Sequence, residues 1–131
     1  MTGLPSLRAL DREQGARIWL AAEAADMLCG FDRLAERVRV VIGQDPLGGH
    51  LFVFRSRRGD RLKILLWDHD GFVLWYKRLE QGVFKLPQVE AGARSVELRA
   101  SELAMVLDGI DMSRLKRMPR YERGADTNKR A

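Results

Sequence analysis

The sequence predicts an α+β domain, a small antiparallel sheet of about four to six strands covered by one main helix, with a short C-terminal helix. Three observations point to it. Apolar residues recur at helical spacing over residues 31–42. Three runs rich in β-branched and aromatic residues follow between His50 and Glu80. The segments between those runs are far shorter than the dozen residues that a parallel return needs, so neighbouring strands should be antiparallel.

In chain order, RIWLA (17–21) is short, apolar and bounded by polar residues, which suits a first strand. Asp26 is a candidate cap for the helix that follows. In that helix Phe31, Leu34, Ala35, Val38, Val41 and Ile42 share one face, and Asp32, Arg33, Glu36, Arg37 and Arg39 take the other. Gly43 stops it, and QDPLGG (44–49) is a turn-rich connection. HLFVFR (50–55), RLKILLW (61–67) and FVLWYKRLE (72–80) read as strands joined by SRRGD and DHDG. Gln81-Gly82 turns the chain into VFKLP (83–87), a further candidate strand. SVELR (95–99) is another. SELAMVLDGI (101–110) then reads as a short helix, with Ser101 as its cap and Leu103, Val106, Leu107 and Ile110 as its apolar face.

Residues 15–111 are expected to form a single domain, between a flexible segment over 1–14 and a basic, disordered tail over 112–131. Of the 131 residues, 46% are hydrophobic and 31% charged, an ordinary balance for a globular domain with a modest core. No run reaches the roughly 18 apolar residues of a membrane span. Asp11 and Glu13 interrupt the N-terminus, which argues against a secretion signal. A lone cysteine, Cys29, excludes an internal disulfide and fits a reducing, cytoplasmic setting. The net charge of +5 resides in the tail, where Arg114, Lys116, Arg117, Arg120, Arg123, Lys129 and Arg130 face only Glu122 and Asp126. A basic tail on a neutral body suits a polyanion or an acidic partner, although many such tails serve only solubility.

The second concentration of charge is the bend FRSRRGDRLK (54–63), with Arg55, Arg57, Arg58, Arg61 and Lys63 against Asp60. Strand parity decides what these cations face. A tight DHDG turn pairs Trp67 with Phe72, which sets Lys63 opposite Tyr76 and Arg61 opposite Arg78. The Leu62, Ile64 and Leu66 face would then lie under the 31–42 helix. A five-residue SRRGD loop would add Arg55 to the Arg61–Arg78 row, whereas a four-residue loop would flip the parity and disperse it. Like charges directly opposite one another destabilise a sheet, so such a row calls for Asp60 and Glu80 as local neutralisers or for bound phosphates. The candidate contact set is Arg55, Arg57, Arg58, Arg61, Lys63, Tyr76, Lys77 and Arg78, with Arg114, Lys116, Arg117 and Arg120 of the tail. Trp67, Phe72 and Tyr76 are possible stacking surfaces, although strand aromatics more often serve the core.

Nothing makes a positive case for catalysis. Asp68-His69-Asp70-Gly71 matches only the start of a calcium loop and lacks the later ligands, so a tight turn explains it better. Two histidines and one cysteine do not suit a closed zinc site. No spaced carboxylate set supports a magnesium nuclease, and glycine-rich phosphate loops and nucleophile elbows are missing. No cofactor is expected.

Several motifs carry a family resemblance. Asp26-Met27 precedes Gly30-Phe31-Asp32 and Leu34, the block from Phe54 to Asp68 contains GDRLKILLWD, and Tyr76 to Phe84 reads YKRLEQGVF. Together with SVELRASELAMVLDGID (95–111), they resemble the TnpB (Orf2-like) accessory proteins of insertion sequences of the sixty-six family. This family is distinct from the RNA-guided nuclease that shares the TnpB name. The resemblance covers most of residues 17–111. It departs at Leu28-Cys29, where members usually carry Arg-Lys. It implies a non-catalytic accessory factor for transposition in bacteria, encoded beside a separate transposase that bears the catalytic carboxylates. Its partners would be element DNA, the transposase, or both. A pure adaptor of the transposase is the alternative, and a metal-dependent nuclease is the weaker third.

Overall fold

A computed structural model describes residues 16–114. The expected flexible segment over 1–14 and all of the tail beyond Arg114 lie outside the described residues. The elements are β1 (Ile18–Ala21), α1 (Phe31–Arg37) continued by a π-helical turn (Val38–Ile42), β2 (Leu51–Arg55), β3 (Arg61–Asp68), β4 (Gly71–Arg78), β5 (Ser95–Leu98) and α2 (Ala100–Leu107). This is the α+β architecture, with five strands in the order β4-β3-β2-β1-β5.

The sheet is mostly antiparallel. The exception is β1, which runs parallel to β2 with Ile18 beside Leu51. Residues 22–50 supply the long crossover that a parallel return needs, and they carry α1 across one face on the way. VFKLP is not a strand. It crosses the turn end of the β2–β3 hairpin, where the Phe84 amide donates to the Gly59 carbonyl at 2.8 Å.

Both helices begin away from the expected caps. Asp26 instead closes a small turn, accepting the Leu28 amide at 2.9 Å, and Gly30 stands at the N-terminus of α1. Arg99 precedes α2, and its amide donates to Glu102 Oε1 at 2.7 Å, so Ser101 lies inside the first turn. Gly43, with φ of 78°, ends the main helix as expected; its amide and that of Gln44 both donate to the Val38 carbonyl.

Each face of the sheet has its own apolar layer. Leu34, Ala35, Val38 and Ile42 of the main helix pack on Phe52, Phe54 and Leu65. Leu103, Val106 and Leu107 of α2 pack on Leu51, Val53, Leu62 and Ile64. The expected cover is therefore exchanged. The Leu62–Ile64–Leu66 face lies under the C-terminal helix, and the main helix sits on the face that carries Lys63. At the margins Phe31 is 45% exposed and Ile110 is 49% exposed, so neither completes the apolar face assigned to it.

Candidate anion-binding interface at the β2–β3 turn

Ser56 organises the turn that presents the arginines. It is buried, and its hydroxyl donates to Asp60 Oδ1 at 3.1 Å while accepting the Gly59 and Arg61 amides. The Ser56 amide donates to the Arg61 carbonyl at 3.0 Å, so only residues 57–60 form the loop. Gly59 has φ of 82°, a conformation that L side chains rarely adopt, and a Cβ there would meet Val83 at 3.5 Å. Sequence and turn agree: Ser-Arg-Arg-Gly-Asp places two side chains outward, one residue in the left-handed region and one carboxylate back on the serine.

The four-residue loop fixes the parity. Arg55 stands opposite Leu62, not Arg61, and so leaves the face of the Arg61–Arg78 pair. Its guanidinium donates to the Ala22 carbonyl at 3.1 Å. The β3–β4 register is as expected, with Trp67 opposite Phe72, Lys63 opposite Tyr76 and Arg61 opposite Arg78. The like-charged pair is relieved locally. Arg78 Nε lies 3.0 Å from Glu80 Oε2, and Arg61 donates to the Tyr76 hydroxyl at 3.3 Å. Lys77 shares the other face with Leu62 and is half-buried.

Lys63 is not at the surface. It is 6% exposed, and its ammonium donates to the Met27 carbonyl at 2.6 Å and the Cys29 carbonyl at 2.8 Å. The same nitrogen sits 4.7 Å from the centre of the Tyr76 ring. Its charge is spent inside the fold, fastening the segment before α1 to the sheet. Cys29 is buried beside it, whereas Leu28 is 91% exposed. Trp67 and Phe72 meet edge to face at 5.0 Å, and Phe72 stacks on Phe31 at 6.4 Å, so these aromatics engage each other.

Arg57 and Arg58 remain exposed and have no carboxylate partner among the described residues. With Arg55 and Lys85 they line an open cleft of about 610 Å³ between the β2–β3 turn, the end of β1 and residues 83–93. Its floor and walls include Val83, Leu86, Pro87 and Val89, and Glu90 is the one acidic group that lines it among the described residues. Sequence reasoning missed Lys85 because VFKLP reads as a strand. The Met112 amide donates to the Lys85 carbonyl at 2.9 Å, which brings the last described residues to the cleft, and Ser113 lines its rim. There the Ser113 hydroxyl and amide hold the Asp111 carboxyl below its ordinary value, with Lys85 and Arg114 adding positive charge. Of the tail candidates, Arg114 is exposed at this end, and Lys116, Arg117 and Arg120 lie outside the described residues.

A family model described as IS66 Orf2 like protein matches residues 16–117, spanning the whole sheet, both helices and the basic turn. The chain belongs to the IS66 Orf2-like family. Two proteins of Sinorhizobium fredii are similar to it, each titled an uncharacterized protein. One, y4hO, is 44% identical over 98 residues, covering 75% of this chain and 84% of that protein. The other, y4jC, is 37% identical over 106 residues, covering 81% and 89%. No solved structure matches at a significant level. IS66 Orf2-like membership makes this an insertion-sequence accessory protein, from a family with no known catalytic activity. Among the described residues no helix is long and apolar enough to cross a membrane, and no three His, Cys, Asp or Glu side chains converge as a metal site.

Proposed function

We propose that this IS66 Orf2-like protein assists transposition in the bacterial cytoplasm by holding the phosphate backbone of element DNA in the cleft beside the β2–β3 turn. The reading rests chiefly on one observation: Arg57 and Arg58 are exposed on a hydrogen-bonded turn with no ion-pair partner among the described residues, next to Arg55 and Lys85 in one open cleft. Guanidinium groups so placed suit phosphate oxygens, which position a duplex without reading its sequence. Arg61, Lys77 and Arg78 lie at the same end of the sheet and would add background attraction. Lys63 has no part in it. Ser113 lines the rim of the cleft, and the cations that follow it in the sequence, Arg114, Lys116, Arg117 and Arg120, would lengthen the basic track.

Titrating salt against binding to a duplex of the element's end tests this reading. Every phosphate that the protein no longer neutralises takes nearly one unit from the slope of log affinity against log salt. Replacing Arg57 and Arg58 by serine should therefore flatten it by roughly two units. An unchanged slope would remove the turn from the interface. A second reading has its own support. The apolar walls formed by Val83, Leu86, Pro87 and Val89 suit an acidic segment of the transposase better than bare phosphates. Co-purification with the transposase after nuclease treatment, abolished in the same double variant, would favour it.

A further inference from the structure

The two edges of the sheet differ. β5 is four residues long and ends in the charged Glu97–Arg99 stretch, which blunts it as a template for pairing. β4 is eight residues long, regular through its whole register with β3, and free of proline. No strand lies beyond it among the described residues. Phe72, Val73, Leu74 and Trp75 are apolar yet only half-buried, whereas every residue from Leu62 to Leu66 on the neighbouring strand is buried. A long, regular, apolar edge of this kind is what another strand adds to.

We infer that β4 pairs antiparallel with β4 of a second copy, making a two-fold dimer with a continuous ten-stranded sheet. The hydrogen-bond pattern restricts the register. The Leu79 amide donates to the Asp60 carbonyl at 2.8 Å, so by alternation residues 77, 75, 73 and 71 bond to β3. The backbone groups of 72, 74, 76 and 78 therefore point outward. Two such edges meet only when even-numbered residues face even-numbered residues. Centring the axis on Leu74 places Leu74 against itself, Phe72 against Tyr76 of the second copy, and Val73 against Trp75 of the second copy.

Charge selects this register from its neighbours. Asp70, exposed in the turn just before the first residue of β4, comes close to Arg78 of the second copy, whose guanidinium also lies 3.0 Å from its own Glu80, and the symmetry supplies the contact twice. A shift by two residues one way sets Asp70 against Tyr76, and the other way sets Phe72 against Arg78. Of these three registers only the Leu74-centred one brings opposite charges together at both ends, with apolar and aromatic side chains facing one another between them. The cleft lined by Arg57 and Arg58 lies beyond the far end of β3 from this turn and stays open in the pair.

Sedimentation equilibrium of the full chain without DNA, at up to about 100 µM, tests the inference. The expected mass is twice 15.0 kDa. Asp70→Arg alone and Arg78→Asp alone should each weaken association by roughly tenfold or more, because each turns two attractive contacts into two repulsive ones. Combining them should restore it, with circular dichroism unchanged throughout. As a second readout, Leu74→Cys should cross-link to itself on mild oxidation, since hydrogen-bonded partners across an antiparallel pair sit about 5.5 Å apart at Cα. A monomer across the concentration range, or a dimer indifferent to all three charge variants, would overturn the pairing.

Discussion

A single residue, Lys63, changes meaning between chain and fold. In the sequence it is one of five cations at a bend, and lysine is among the side chains least often fully buried. In the structure its ammonium is held by two carbonyls and an aromatic face, under the main helix. Nothing local in RLKILLW announces this, because the carbonyls come from residues more than thirty positions earlier. Replacing Lys63 by methionine keeps the apolar stem and strips the donor, leaving the Met27 and Cys29 carbonyls short of a partner. The expected cost is about 2 kcal/mol or more, read as a lower urea midpoint at unchanged m-value. Arg57 and Arg58, by contrast, are legible as surface residues from the sequence, since turn arginines beside glycine have nowhere inward to go.

Among the elements, the β3–β4 hairpin is the most legible. A two-residue turn between alternating runs leaves one register, and every expected pair from Trp67–Phe72 to Arg61–Arg78 is present. The β2–β3 hairpin is less so, because SRRGD allows loops of either parity, and the choice is made by the Ser56 hydroxyl closing on the Gly59 and Arg61 amides. That one-residue difference moves Arg55 to the opposite face. The turn at His69 offers a check on this level. His69 has φ of 59°, where a β-branched residue is strained and glycine is at ease. His69→Val should lower stability by roughly 1–2 kcal/mol, and His69→Gly should stay within about 0.5 kcal/mol of the parent in thermal unfolding.

For the molecule as a whole, alternation could show that both sheet faces are apolar but not which helix takes which face. Leu62, Ile64 and Leu66 would suit either cover, and the exchange follows from where the chain re-enters the sheet after residues 22–50. The two apolar layers share one set of strands, so they should unfold together. Leu34→Ala under the main helix and Leu103→Ala under α2 remove wholly buried side chains from opposite sides. Each should cost about 2–5 kcal/mol and shift a single transition, seen alike by tryptophan fluorescence and circular dichroism. The parallel placement of β1 carries a last consequence. β2, β3 and β4 are linked by tight bends and can zip from neighbour to neighbour. β1, though made before the other described strands, finds its slot between β2 and β5 only after the whole crossover closes. Of the five described strands, the one made first is therefore among the last to lock, so a nascent chain halted before residue 95 would hold β1 with one flank still unmated.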